Sequence, residues 1–251
     1  MVTYRASLLS LASAQKAAAP GAPPYSVYVN RRVGRYFAAA AHRAGMKPNM
    51  VTVASAVLTF SGIGLIADGT PSWWLGACVW ILLAVGYALD SADGQVARLC
   101  GGGSVAGEWL DHVIDSAKIS CLHLAVLATV YQHFQLGTQA LLVPMGFTVV
   151  AAVSFFAMIL NDHLKAIEAL KSGRKLPGGS VSKWKSLLLI PTDYGILCLL
   201  FLFLGAPYLF FGLYCLLFLA NAGHLFLASI KWFNDMKRLA ILPTDANSQG
   251  A

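Results

Sequence analysis
Residues 88–118 read ALDSADGQVARLCGGGSVAGEWLDHVIDSAK, a stretch that carries Asp90, Asp93, Asp111 and Asp115. The chain of 251 residues has only 11 acidic residues, and these four aspartates are among them. The sequence around them is apolar for long enough to cross a bilayer. Carboxylates at that depth are costly and usually functional. Helix residues three or four apart share a face, so Asp90 pairs with Asp93 and Asp111 with Asp115. Gly101-Gly102-Gly103 is a turn at which two helices can fold back antiparallel and bring the pairs together. Four carboxylates so placed repel one another unless cations lie between them. A hard divalent metal site is the natural reading.

Composition sets the class. Hydrophobic residues make up 57% of the chain and charged residues 12%, against about 25% charged in soluble domains. An all-α integral membrane protein is expected. Six stretches approach the roughly 20 apolar residues a spanning helix needs: about 50–67, 72–99, 104–132, 138–161, 187–205 and 207–230. Of the 18 Lys and Arg, seven precede the first span, from Arg5 to Lys47. Six lie between spans four and five, and three follow the sixth. Arg98 is at the very end of its span, Lys118 alone lies well inside one, and the loops near Asp68, Gln135 and Gly205 carry none. By the positive-inside rule both termini and the aspartates face the cytoplasm, from an inner or plasma membrane. The net charge of +7 is gathered on one membrane face. That fits anionic lipid headgroups rather than nucleic acid. The five cysteines show no paired spacing and read as small buried apolar residues.

The organisation along the chain is simple. Residues 1–26 are expected to be disordered or loosely membrane-associated, 27–235 to form the membrane domain, and 236–251 a short cytoplasmic tail. Within the domain, residues 27–44 set Val33, Tyr36, Phe37, Ala40 and Ala44 on one side and Arg31, Arg32, Arg35 and Arg43 towards the other. An interfacial amphipathic helix is expected there. Pro48 suits the first turn of the first span, where a missing amide hydrogen does no harm. Intramembrane carboxylates also line ion pathways, so a cation transporter or channel is the competing class.

Read in order, the central stretch satisfies D-x2-D-G-x2-A-R-x8-G-x3-D-x3-D at Asp90, Asp93, Gly94, Ala97, Arg98, Gly107, Asp111 and Asp115. All eight positions match. The chain resembles the CDP-alcohol phosphotransferase family, whose members carry this signature across their second and third membrane helices. Elementary chemistry outlines the roles. Paired divalent ions can clamp a pyrophosphate and steady both attacking and leaving oxygens. Gly94 would permit close backbone approach, and Arg98 offers a fixed fork of donors to phosphate. Ser104 stands at a helix start, where anions are favoured. Asp115 lies deepest along its helix and is best placed to meet an acceptor hydroxyl.

The resemblance implies more. Asp90, Asp93, Asp111 and Asp115 would hold two ions, Mg²⁺ or Mn²⁺, with Asp115 as general base. Gly94, Arg98 and Ser104 would contact the CDP part of the donor, as would Asn49 and Thr52 at the start of the first span. The implied reaction moves a phosphate-linked group from a CDP-linked donor to a hydroxyl acceptor and releases CMP. The expected form is transfer of a phosphatidyl group from CDP-diacylglycerol to a polar alcohol or polyol. The alternative is transfer of a phosphoalcohol from a soluble CDP-alcohol to a lipid hydroxyl. Members that use a phosphorylated polyol often carry Arg or Lys after the last aspartate, where this chain has Ser116. Lys118 either supplies that missing charge to the acceptor or neutralises the carboxylates. Glu108, His112 and Ser116 look like the branch that uses CDP-choline or CDP-ethanolamine, where His112 would assist proton removal. Asn161, Asp162 and His163 are candidates for the acceptor pocket or for helix capping. Family members are often homodimers.

Overall fold
A computed structural model describes residues 4–13, 23–173 and 189–241. These residues form helices α1 (Tyr4–Ser13), α2 (Arg31–Arg43), α3 (Pro48–Asp68), α4 (Trp73–Leu99), α5 (Val105–His133), α6 (Leu142–Ser172), α7 (Tyr194–Leu200) and α8 (Pro207–Ile241). The protein is an all-α membrane protein. The expected tail 236–251 is described only as far as residue 241, where it continues α8.

Helices α3 and α4 form the frame for the aspartates, and small residues let them approach closely. Thr52, Ser55, Thr59 and Gly62 recur at three- and four-residue spacing along the buried face of α3. Ser55 Oγ donates to the Gly86 carbonyl of α4 at 2.8 Å. A Cβ at Gly86 would collide with Thr59 Oγ1, so glycine lets the two helices meet here. Close backbone approach with a hydroxyl bridging two helices is how apolar helices associate where no water drives them together. Deeper in the bundle, Ile66, Val79, Leu83, Leu122, Val126, Phe201, Phe210 and Tyr214 form one core. His123 lies within it, its Nδ1 2.7 Å from Tyr214 Oη and its ring stacked on Phe147.

The turn between α4 and α5 is glycine chemistry. Gly101 and Gly102 have φ of 93° and 132°, a region that residues with a Cβ rarely enter. Gly102 N donates back to the Ala97 carbonyl at 2.8 Å, closing the end of α4. Ser104 then caps α5, its Oγ accepting from Gly107 N at 3.0 Å.

At three points the structure adds detail to the expectations. The first is the span count. Among the described residues, five helices are long and apolar enough to cross a bilayer: α3, α4, α5, α6 with the turn before it, and α8. The stretch expected as span 187–205 is described from residue 189. It holds α7 and then a 3-10 helix, Phe201–Gly205. Together they extend about 20 Å, short of the roughly 30 Å hydrocarbon layer. In a 3-10 helix residues i and i+3 eclipse, which lets Phe201 and Leu204 bury the same face against Gly76 of α4.

The second concerns residues 1–26. Tyr4–Ser13 is helical, with Leu11 and Ser7 each 1% exposed. Leu11 joins Ala38, Ala39, Ala41, Val51, Ala92 and Val96 in a second small core, and Ser7 Oγ lies 3.0 Å from His42 Nδ1. Residues 14–22 lie outside the described residues.

The third concerns α2. It does pack beside the aspartate end of α4, but its buried face is Gly34, Ala38, Ala39 and Ala41. Val33 and Tyr36 point outward. A Cβ at Gly34 would sit 3.0 Å from the Ala88 carbonyl. Small residues must therefore face the protein, which leaves Val33 and Tyr36 outside while Phe37 packs at the edge of the small core. Asn30 Nδ2 donates to the Tyr87 carbonyl and Gln95 Nε2 to the Arg31 carbonyl, pinning this helix across α4. At the far end of that junction Asp193 caps α7 and also accepts from Ser26 N at 3.0 Å.

Candidate active site
Helices α4 and α5 present their aspartates to one another next to the glycine turn. Carboxylate oxygens of Asp90, Asp93 and Asp111 all lie within 4.8 Å of one another. Asp93 is the most enclosed of the four, 8% exposed. Its Oδ2 accepts from Thr52 Oγ1 of α3 at 2.7 Å, and its Oδ1 lies 2.5 Å from Gly94 N. A helix that merely passed through lipid would place no such carboxylate here without partners. Thr52 is itself 4% exposed, with its hydroxyl turned to Asp93.

Asp115 lies beside Asp90 but outside that mutually close group of three. It lies one helical turn beyond Asp111, and its Oδ1 is 2.8 Å from Lys118 Nζ. The same ammonium is 2.5 Å from Asp90 Oδ1. Of the two roles the sequence left open for Lys118, its geometry is that of a cation among the carboxylates. The residue is 6% exposed. An ion pair so enclosed depends on both partners, because removing either leaves an uncompensated buried charge.

The remaining motif residues lie between the aspartates and the glycine turn. Arg98 and Gly94 are exposed on α4, and nothing lies within 4 Å of where a Gly94 Cβ would be. The open face of Gly94 adjoins the carboxylate of Asp93. Ser104 Oγ spends a lone pair on the Gly107 amide, which leaves its own hydrogen free to donate. Asn49 comes from the start of α3, and its Oδ1 would lie 3.0 Å from a Cβ at Gly107. Gly107 thus gives Asn49 room at the first turn of α5. That is a physical reason for glycine at this point of the motif.

On α5, one residue past Asp111 and one turn before Asp115, His112 meets α6. Its ring lies 6.4 Å from Phe155 and 6.3 Å from His163. His163 Nδ1 sits 3.0 Å from the Ile159 carbonyl. Asn161 is 7% exposed and its Oδ1 has no hydrogen-bond partner among the described residues, while Asp162 is exposed. His112, Asn161 and His163 therefore border the α5–α6 side of the site.

Sequence reasoning missed Gln95. It occupies a variable position of the motif, yet it is 3% exposed and donates to the carbonyls of both Arg31 and Ser91. Its buried polarity, one residue past Gly94, was the available signal.

Three kinds of likeness bear on this site. The family profile described as CDP-alcohol phosphatidyltransferase matches residues 46–228. Human ethanolaminephosphotransferase 1 is 30% identical over 132 residues, which cover 48% of this chain and 32% of that protein. The chain thus spans about a third of the length of that curated relative. Among solved structures, Mycobacterium tuberculosis phosphatidylinositol phosphate synthase with CDP-DAG bound superposes with a TM-score of 0.53. The match covers 89% of this chain and 99% of that one at 17% identity, a likeness of fold.

Proposed function
Because the chain belongs to the CDP-alcohol phosphatidyltransferase family, a family of phosphotransferases, we propose that it transfers a phosphatidyl group from CDP-diacylglycerol to a polar alcohol or polyol. The observation that carries this reading is the convergence of Asp90, Asp93 and Asp111 within 4.8 Å, with Arg98 and Ser104 at the adjacent mouth. The donor set is all oxygen, hard and anionic, and it fits Mg²⁺ or Mn²⁺. Bound there, divalent ions would neutralise the pyrophosphate and the departing CMP.

The side chains divide the remaining work. Arg98 grips a donor phosphate, and Ser104 donates to it from the start of α5, where the helix dipole favours an anion. Asn49 and the open face of Gly94 border the same donor. Asp115 accepts the proton of the acceptor hydroxyl. The hydroxyl oxygen forms a bond to the diacylglycerol-linked phosphorus. The bridging P–O bond breaks, and its electron pair leaves on the CMP phosphate. Lys118 is engaged by Asp90 and Asp115, and Ser116 stands where a cation would greet a phosphorylated polyol. Both features favour an acceptor without its own phosphate. By the positive-inside rule the basic residues favour a cytoplasmic position for this site and both termini, which requires the shorter apolar stretch Tyr194–Gly205 to carry the chain across the membrane beside the five longer helices.

A second reading reverses donor and acceptor, so that a soluble CDP-alcohol gives its phosphoalcohol to a lipid hydroxyl. The identity to ethanolaminephosphotransferase and the position of His112 beside Asp111 favour it. CMP release by purified protein with Mg²⁺ and each donor in turn separates the two. Release with CDP-diacylglycerol and a polyol supports the first reading. Release only with a CDP-alcohol and diacylglycerol replaces it with the second. No release with either donor, together with cation flux through protein-containing liposomes, would move the chain to the transporter class.

Two variants probe the supporting residues. Thr52→Val keeps the shape but removes the hydroxyl on Asp93. The divalent-ion concentration for half-maximal activity is expected to rise roughly 10–100-fold, as for other partners of metal ligands. Arg98→Ala is expected to raise the donor KM about tenfold or more, the worth of a hydrogen bond to a charged group, and to leave the acceptor KM unchanged. An unchanged donor KM would remove Arg98 from the donor site.

A further inference from the structure
Lys118 has an unusual place for a lysine in a carboxylate metal site. It lies on α5, three residues beyond Asp115, and its side chain is 7% exposed. Two of its three ammonium hydrogens are committed, to Asp90 Oδ1 at 2.5 Å and to Asp115 Oδ1 at 2.8 Å. Meanwhile Asp90, Asp93 and Asp111 offer oxygens within 4.8 Å of one another, a grouping from which Asp115 is absent. The four carboxylates therefore divide into a trio open to a cation and a pair, sharing Asp90, that already holds one.

We infer that Lys118 takes the place of one of the two metal ions expected of the motif, so that this chain binds a single divalent cation at Asp90, Asp93 and Asp111. The inference rests on the metal reading proposed above. Charge supports it: four carboxylates and one ammonium leave three uncompensated negative charges. One divalent ion reduces these to one, and a second would turn the free site positive. Geometry supports it too. A second ion between Asp90 and Asp115 would have to displace the ammonium, and the lysine stem is anchored from the deeper, enclosed part of α5. A charged head set free there would face apolar helices or lipid. In this arrangement the ammonium holds Asp115 in position next to Asp90 without consuming it as a metal ligand.

The test counts ions. Full-length protein in lipid nanodiscs is titrated with Mn²⁺ and the bound ion is quantified by electron paramagnetic resonance, with and without CDP. Wild type is expected to bind one Mn²⁺ per chain in both conditions, without the broadening that two adjacent Mn²⁺ ions produce. Lys118→Met is expected to gain a second ion and that coupling. Lys118→Gln, which keeps hydrogen-bond donors but loses the charge, provides the same test if the Met variant does not fold. Two coupled ions in wild type would overturn the inference, as would one ion in the folded Lys118 variants. Failure of wild type to bind Mn²⁺ at all would instead end the metal reading on which the inference rests.

Discussion

Replacing Asp115 with Asn is expected to lower the rate of CMP release by roughly 10²–10⁴-fold, the contribution of a positioned general base. The substitution keeps the size and shape of the side chain. Its amide oxygen can still accept from Lys118, which now sits 2.8 Å from Asp115 Oδ1. What the amide cannot do is take a proton from an attacking hydroxyl. Asp90, Asp93 and Asp111 remain grouped without Asp115, so binding of CDP, followed by equilibrium titration, should change little. The split between retained binding and lost turnover is the informative readout. Turnover within tenfold of wild type would pass the role of base to another group, and His112, next to Asp111 and facing α6, would be the first to examine. Loss of CDP binding along with turnover would show instead that Asp115 belongs to the donor-binding cluster.

Chelation is expected to have the other large effect. Treatment with EDTA should abolish CMP release, and Mg²⁺ or Mn²⁺ should restore it where Ca²⁺ does so less well, because Ca²⁺ favours longer bonds and more ligands. Stability should follow activity. Without a cation, three carboxylates grouped within 4.8 Å repel one another in a site of low dielectric. A ligand present at 100 times its Kd stabilises the folded state by about 2.7 kcal/mol. For a chain of this size that corresponds to a rise in Tm of roughly 5–10 °C. Asp93→Asn should lose most of this shift. It exchanges the most enclosed of the carboxylates for a neutral group, while Thr52 can still hydrogen-bond to it. A metal-independent Tm in wild type, or a full shift in Asp93→Asn, would place the cation elsewhere.

Much of the architecture could be read before any coordinates. Spans expected at about 50–67, 72–99 and 104–132 are the helices Pro48–Asp68, Trp73–Leu99 and Val105–His133. Pro48, Ser72, the three glycines and Ser104 mark their ends with local chemistry, and local chemistry is legible in a linear string. Helices α6 and α8 run further than the apolar stretches indicate, to Ser172 and Ile241. Beyond the apolar part Lys165 of one pairs with Asp235 of the other at 3.0 Å. Seventy residues separate those partners, and neither one predicts the other from its own neighbourhood. The regular helix in the stretch around α7 is shorter than its apolar pattern for a related reason. The stretch is as apolar as a span, but its course is decided by Gly76 and by the Asp193 junction with Ser26.

What the sequence determined by itself was membership in a chemistry: carboxylates at fixed helical spacing, a glycine turn between them, and a basic face. Spacing along one helix sets which residues share a side, and that needs no knowledge of the partner helix. Only the tertiary structure decided how the four aspartates divide. The rotation of α3 against α4 carries Thr52 to Asp93 across 41 residues, and the approach of α5 to α4 carries Lys118 to Asp90 across 28. Those contacts depend on how closely glycine and hydroxyl-bearing faces let two helix backbones approach, a property of surfaces in three dimensions that no periodicity encodes.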